Sequence, residues 1–379
     1  MSRENRVKLI EKIEKLRNSR VIVYVTGDRK NYPPLSQISD DVLPLFKEIL
    51  DEIGWTKRID LFLYSRGGAT EVPWKIVSLI REYCDHFGVL IPFRAHSAAT
   101  MIALGADEIV CGPAAELGPI DPSLTTPFNP RDPRGNPIPI SVEAVRAYLD
   151  FASEYESQKQ PQKAFELLSN VANPLAIGEV YRQHNYIRMV AMKLLKLNKN
   201  SPDDATCENI VKKLVEETYF HGHAIKKEEA KEIGLNIIDA DPELEKVMWE
   251  LLKEYSREMA LNEPFEPLKL LRTNNFQEVE DENVCGLLES STISYVNIAK
   301  VLVQSIRQMP PSISLNIPLV LPPNIAEIIE TNPDLRDIIN ELYQNLVARI
   351  QQQVIQELNR QAPVVDVDLK RIEVKWIKL

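Results

Sequence analysis

Four nearly continuous apolar runs punctuate the first third of the chain. They are VIVYVTG (Val21–Gly27), IDLFLYS (Ile59–Ser65), GVLIPFRA (Gly88–Ala95) and EIVCG (Glu108–Gly112), short and rich in branched and aromatic residues. Runs of this length without polar alternation suit strands covered on both faces. Between them the apolar period becomes helical. Val42, Leu45, Phe46, Ile49 and Leu50 share one face of a helix opened by Asp40 and Asp41, with Pro44 in the first turn, where a missing N–H costs little. A second helix runs from Glu71 to about Cys84, and a short one follows Ser97. Strands alternating with helices imply βαβ crossovers and a mostly parallel sheet.

Beyond residue 141 the pattern is mainly helical, clearest in SVEAVRAYLDFASEY and YIRMVAMKLLKL. KKEEAKEIGLNII reads as a helix closed by Gly234 and followed by a short edge strand; DPELEKVMWELLKEYSREM is another amphipathic helix. LNEPFEPLKLLRTNNFQEVEDENV is acidic and carries prolines, which sets a linker there and divides the chain into residues 1–261 and a C-terminal α+β extension over 262–379. In the extension, MPPSISLNIPLVLPP is extended and proline-broken. A helix is expected from about Asn324 to Gln361, broken at Pro333, and VVDVDLKRIEVKWIKL alternates like a strand. The segment RIQQQVIQELNRQ has helical apolar spacing and reads as a packing or oligomerisation helix, with a partner-binding surface as the alternative.

Composition narrows the class. The 379 residues carry 45 Lys and Arg against 55 Asp and Glu, a formal charge of −10, which disfavours nucleic acid as the main partner. No apolar stretch approaches the roughly 20 residues a membrane-spanning helix needs, and the charged N-terminal segment lacks a signal-peptide core, so a cytoplasmic location is expected. Cys84, Cys111, Cys207 and Cys285 are scattered without a CxxC pair, so no metal site or cofactor is expected.

Two loops at the C-terminal ends of the expected parallel strands carry the candidate chemistry, because open α/β sheets place their sites there. In YSRGGAT, Gly67 and Gly68 permit a tight turn that presents backbone N–H groups. In AHSAAT, Ser97 opens a helix, where unpaired N–H groups favour negative charge. Taken alone, paired glycines are a turn and a helix-opening serine is an N-cap. Their order is what points further: strand, Gly-Gly, helix, strand, Ser-small-small, helix, strand.

That order, carried by DLFLYSRGGATEVPWKIVSLIR, RAHSAATMIALGADEIVCGPAAELGPIDPSL and ETYFHGHAIKKEEAKEIGLNI, resembles the serine dehydrogenase proteinase family. This family is grouped with the Clp proteolytic subunit and signal peptide peptidase A. The resemblance spans roughly Val21 to Ile238. It implies a Clp/crotonase-like superhelix of βαβ units, a homo-oligomer built on trimers, and a polypeptide substrate. It also implies Ser97 as nucleophile, with the N–H groups of Gly68 and Ala98 as oxyanion donors and Gly67 supporting the turn.

The base is where the sequence departs from both better-known relatives. The Clp subunit's histidine position falls in GPIDPSL, which contains Asp121 and no histidine, and no lysine occurs between Ser97 and Lys159. His221 and His223, around Gly222, have the right ordinary pKa for a base, about 6.5. His223 is favoured because it adjoins the helix of EAKEIGL, with Glu217 as an orienting carboxylate. Lys159 and Lys163 are the fallback. Asp121 either orients the base or forms an Asp-Pro turn. His96 is expected to point away from Ser97, and His184 to lie on a solvated helix face. Two other readings stay open: a catalytically idle scaffold binding a protein partner, and a crotonase-type enzyme acting on a coenzyme A thioester.

Overall fold

The computed structural model describes residues 3–32, 36–120, 123–124, 127–132, 135, 137–138, 140–155, 161–199, 201–216, 223–274, 278–308, 318–322 and 332–379. The chain forms two compact units. The first holds residues 1–265, 282–299 and 373–379; the second holds 266–281 and 300–372.

In the first unit the expected alternation is present. α1 (Arg3–Arg17) leads into β1 (Arg20–Thr26), α2 (Leu43–Ile53), β2 (Thr56–Tyr64), α3 (Val72–Arg81) and β3 (Cys84–Ile91). β4 (Arg94–Ala95), α4 (Ala98–Leu104), β5 (Glu108–Cys111) and β6 (Glu116–Leu117) follow. β7 (Ser123–Leu124) and β8 (Ile140–Ser141) pair antiparallel away from the main sheet. Next come α5 (Val142–Tyr155), α6 (Pro161–Val171), α7 (Pro174–Leu197), α8 (Asp204–Val215), β9 (Ile225–Lys226), α9 (Lys227–Ile233), β10 (Ile237–Asp239) and α10 (Pro242–Glu258). The fold is mixed α/β with a mostly parallel sheet: β10, β5, β3, β2 and β1 lie side by side in parallel.

Both faces of that sheet are covered, which is why its strands read as continuous apolar runs. Ile22 and Tyr24 of β1 face one core with α2, α3, α4, α7 and α8; Val21, Val23 and Val25 face the other, with Ile10 and Ile13 of α1 and Leu244, Val247 and Leu251 of α10. Beyond β1 the sheet turns antiparallel. β11 (Val279–Glu289) pairs with β1 through Val23↔Glu289 and Thr26↔Gly286, and β12 (Ser294–Arg307) and β13 (Val364–Lys378) follow in order. Only 282–289, 294–299 and 373–378 of these strands belong to the first unit. The division therefore differs from a single boundary at 261/262: β11 is apolar enough to fill the edge β1 leaves open, with Leu287 and Leu288 fully buried.

One buried cluster ties this edge down. Glu289, fully buried, accepts from Arg6 Nε at 2.8 Å, from Ser294 Oγ at 2.7 Å and from Tyr255 Oη. In the second unit, α11 (Pro267–Thr273) lies inside the segment read as linker. The C-terminal helix (Pro333–Gln361) starts at the proline expected to break it, capped by the Asn332 side chain.

Candidate active site

The RGG turn is built from β2 outward. Ser65, fully buried at the strand's end, exchanges backbone hydrogen bonds with β4: its N–H donates to Arg94 O and its carbonyl accepts from His96 N–H, each at 3.0 Å. Its hydroxyl accepts from Thr26 Oγ1 at 2.8 Å and from Gly67 N–H at 3.0 Å, which fixes the turn from inside. On the opposite edge Ile38 N–H donates to Gly67 O and Ala69 N–H donates to Ile38 O. Gly68 forms an isolated parallel bridge with Ile38, and Ser65 forms one with Ala95, two residues ahead of Ser97.

Both glycines are required. Gly67 has φ +109°, and a Cβ there would sit 2.8 Å from Ser97 Cβ and 3.2 Å from Ala98 N. A Cβ on Gly68 would sit 2.2 Å from Ile38 O. The turn is thus pressed against Ser97 on one side and against Ile38 on the other.

Ser97 itself is half-buried and adopts φ +52°, ψ −116°, a conformation L-residues rarely take. Its side chain makes no capping hydrogen bond to α4. The hydroxyl therefore makes no capping bond, and the backbone at Ser97 is held in a strained conformation. Strained strand-to-helix serines are the form nucleophile elbows take. Ala99 N–H donates to His96 O and Met101 N–H to Ser97 O, while among the described residues the N–H groups of Gly68 and Ala98 have no partner. Thr100, fully buried, lies 2.7 Å from Ala95 O and 2.8 Å from Gly118 O and accepts from Gly118 N–H, locking α4 to β4 and to the segment after β6. Sequence reasoning singled out neither Ser65 nor Thr100; a polar residue ending an apolar run was the available signal.

A ladder of alternating charge runs beside the turn. Arg66 and Arg94 both pair with Asp28; Arg94 also pairs with Glu116 at 3.2 Å, and Glu116 pairs with Lys226 at 3.0 Å and lies 3.2 Å from His96 Nε2. Burial pushes both carboxyls up, but these cations, with the Tyr64 hydroxyl on Asp28, outweigh it and hold Asp28 and Glu116 below their ordinary values. Burial pushes the His96 pKa down; Glu116 opposes this, while Arg66 and Arg94 add to it, leaving it below normal. His96 thus faces Glu116. A cavity of about 280 Å³ adjoins the turn, lined among others by Asp28, Arg29, Ser36, Arg66, Gly67 and Cys285.

Of the candidate bases, His223 and Lys163 lie among the described residues; His221 and Lys159, with the possible orienting carboxylates Glu217 and Asp121, lie outside them. The exposed His223 ring has Nε2 3.0 Å from Glu229 Oε1 on α9. Lys163 is exposed on α6. His184, expected in solvent, is 8% exposed: α5 packs against α7 and covers it, and its Nε2 lies 4.0 Å from Glu216, which Arg188 and Arg146 also engage. Among the described residues no group of side chains could hold a metal ion, and no helix is long and apolar enough to cross a membrane.

Comparison with known proteins agrees with the resemblance drawn from the two loops. A protein of Methanocaldococcus jannaschii, MJ0137, is 28% identical over 267 residues, 67% of this chain and 80% of its own length. A second from the same organism, MJ1495, is 24% identical over 265 residues, 67% of this chain and 77% of its own. Both are known only as uncharacterised proteins. Among solved structures, a variant of the 1510-N membrane-bound stomatin-specific protease in complex with a substrate peptide is 18% identical, with a TM-score of 0.34 over 63% of this chain and 82% of that one. ClpP1 from Listeria monocytogenes is 16% identical, with a TM-score of 0.32 over 61% of this chain and 98% of that one. The family model of the ClpP-like SDH-type serine proteinases matches residues 1–130, the segment that holds the RGG turn and Ser97.

Proposed function

We propose that the protein is a serine peptidase with Ser97 as its nucleophile. The observation that carries the reading is a serine at positive φ, free of any capping bond, beside a turn in which the Gly68 and Ala98 N–H groups have no partner among the described residues. Ser97 Oγ attacks the scissile carbonyl carbon and passes its proton to a base. The carbonyl oxygen becomes an oxyanion that those two N–H groups stabilise. Collapse of the intermediate breaks the C–N bond, the protonated base gives its proton to the leaving amine, and water later hydrolyses the acyl-enzyme by the same route in reverse. The cavity beside the turn, with Arg29 and Arg66 against the single carboxylate of Asp28, suits a polar or acidic side chain of the polypeptide.

For the base we keep His223, with His221 as the second choice and Asp121 as an orienting carboxylate. What supports His223 is sheet register. Ala95, Leu117 and Ile225 are paired across β4, β6 and β9, with β9 antiparallel. The segment after β4 that holds Ser97 and the segment before β9 that holds His223 therefore leave the same end of this small sheet, about 10 Å apart across two strand spacings. An imidazole released from Glu229 spans most of that distance, and one water the rest. Assembly into a trimer or a multiple of it belongs to the same reading. The test is hydrolysis of an unstructured protein or fluorogenic peptide against pH. Turnover is expected to rise with an apparent pKa in the histidine range, vanish in Ser97→Ala and fall at least about 100-fold in His223→Ala. Undiminished turnover in both His221→Ala and His223→Ala would move the base to Lys159 or Lys163.

A further inference from the structure

We infer that the C-terminal helix pairs antiparallel with the same helix of a second copy, about a two-fold axis at Leu342. The helix carries an apolar stripe left exposed among the described residues of its own unit: Leu335, Ile338, Leu342 and Leu346 are 38%, 57%, 63% and 55% exposed. Spacings of three, four and four place these side chains within one narrow arc of the helix surface. Ile339, Tyr343 and Val347, on the adjoining arc, are only half-buried.

The pattern of the stripe says which occupant it fits. Adding Arg349, which continues the same arc, gives positions 335, 338, 342, 346 and 349, symmetric about 342. In an antiparallel pair Leu342 meets Leu342, Ile338 meets Leu346, and Leu335 lies on the aliphatic stem of Arg349. The Arg349 guanidinium then reaches Asp334 of the other copy, at the flank of the stripe and one residue from Leu335. Both charges are exposed, and among the described residues neither has an ion-pair partner. A parallel pair would instead set Arg349 beside Arg349. Antiparallel pairing is self-complementary, as a closed two-fold interface must be. It spans only the 15 residues from 335 to 349, 14 steps or roughly 21 Å at 1.5 Å per residue, so by itself it is a weak, concentration-dependent contact.

The pairing is read by cross-linking full-length protein with a short bis-maleimide. The four native cysteines are buried, so introduced surface thiols report with little background. Leu342→Cys is expected to yield a cross-linked dimer that wild type does not give. Leu335→Cys alone should yield none, because its two copies lie about 21 Å apart, whereas a mixture of Leu335→Cys with Arg349→Cys should cross-link. All three positions are at the surface, and circular dichroism checks that folding is kept. Equal cross-linking of Leu335→Cys and Leu342→Cys would establish a parallel arrangement and overturn the inference. Absence of a Leu342→Cys product at the highest soluble concentration would overturn it as well. The same experiment in a Ser97→Ala background is independent of whether the protein is a peptidase.

Discussion

Replacing Ser97 by glycine separates a strained nucleophile from a helix cap. A residue held in a sparsely populated φ/ψ region costs of order 1–3 kcal/mol, and Ser97 sits at φ +52°, ψ −116°. Glycine adopts that backbone without strain but gives back about 0.5–1 kcal/mol through the larger freedom of its unfolded chain. The net expectation for Ser97→Gly is a gain of about 1 kcal/mol, or ~2–4 °C in Tm for a domain of this size. Ser97→Ala keeps the strain and loses no capping bond, so it should stay within about 0.5 kcal/mol of wild type. If the serine were a cap, the order would reverse: alanine would cost about 1 kcal/mol, glycine a few tenths, and neither would stabilise. Urea titration of the three proteins, followed by tryptophan fluorescence, measures the differences. A Ser97→Gly protein less stable than wild type would refute the claim that strain is stored at this residue.

Gly68→Ala should add at least about 2 kcal/mol of clash to its backbone strain, since its Cβ would lie 2.2 Å from Ile38 O, whereas Gly54→Ala, with nothing within 4 Å, should cost only its positive-φ strain of about 1–3 kcal/mol; paired thermal melts should rank Gly68→Ala as the more damaging. Arg6→Met leaves Glu289 buried without its cation and should lose about 3–5 kcal/mol, most of it recovered in the double variant with Glu289→Leu, as chemical denaturation would record. Because the folded pKa of His96 lies below its unfolded value, its contribution to stability is full above the ordinary histidine pKa and is lost as pH falls through the folded value; His96→Gln should remove that part of the acid loss in a pH series of melts. A chain ended at residue 262 would lack β11 and expose the β1 edge, so it should aggregate on expression; a monodisperse truncated protein would show that β11 is dispensable.

The parts of the fold legible in the sequence are those set by local pattern. Val21–Val25, Ile59–Tyr64 and Val89–Ile91 are buried on both faces, so their apolar continuity survives any arrangement of the helices around them. The edge strand β11 was not legible, because its partner β1 lies some 260 residues earlier and its first half is acidic, like a linker. At the site, the glycines and Ser97 announced themselves by residue type, since only glycine fits the close approaches to Ile38 and Ser97. Ser65 and Thr100 did not, because a hydroxyl bonded to backbone leaves no spacing signature. His184 misled the reading for a related reason: its burial depends on α5 packing across α7, which no pattern within α7 records.

The central claim is that Ser97 is an activated nucleophile facing an oxyanion site, and covalent labelling tests it most directly. A fluorophosphonate probe bonds its phosphorus to a serine oxygen with loss of fluoride, and only a serine with a working base and oxyanion donors reacts quickly. Peptide mapping by mass spectrometry should find one probe per chain, on Ser97, with labelling abolished in Ser97→Ala and slowed in His223→Ala. Labelling that persists in Ser97→Ala, or a wild-type protein that stays unlabelled while fully folded, would contradict the account.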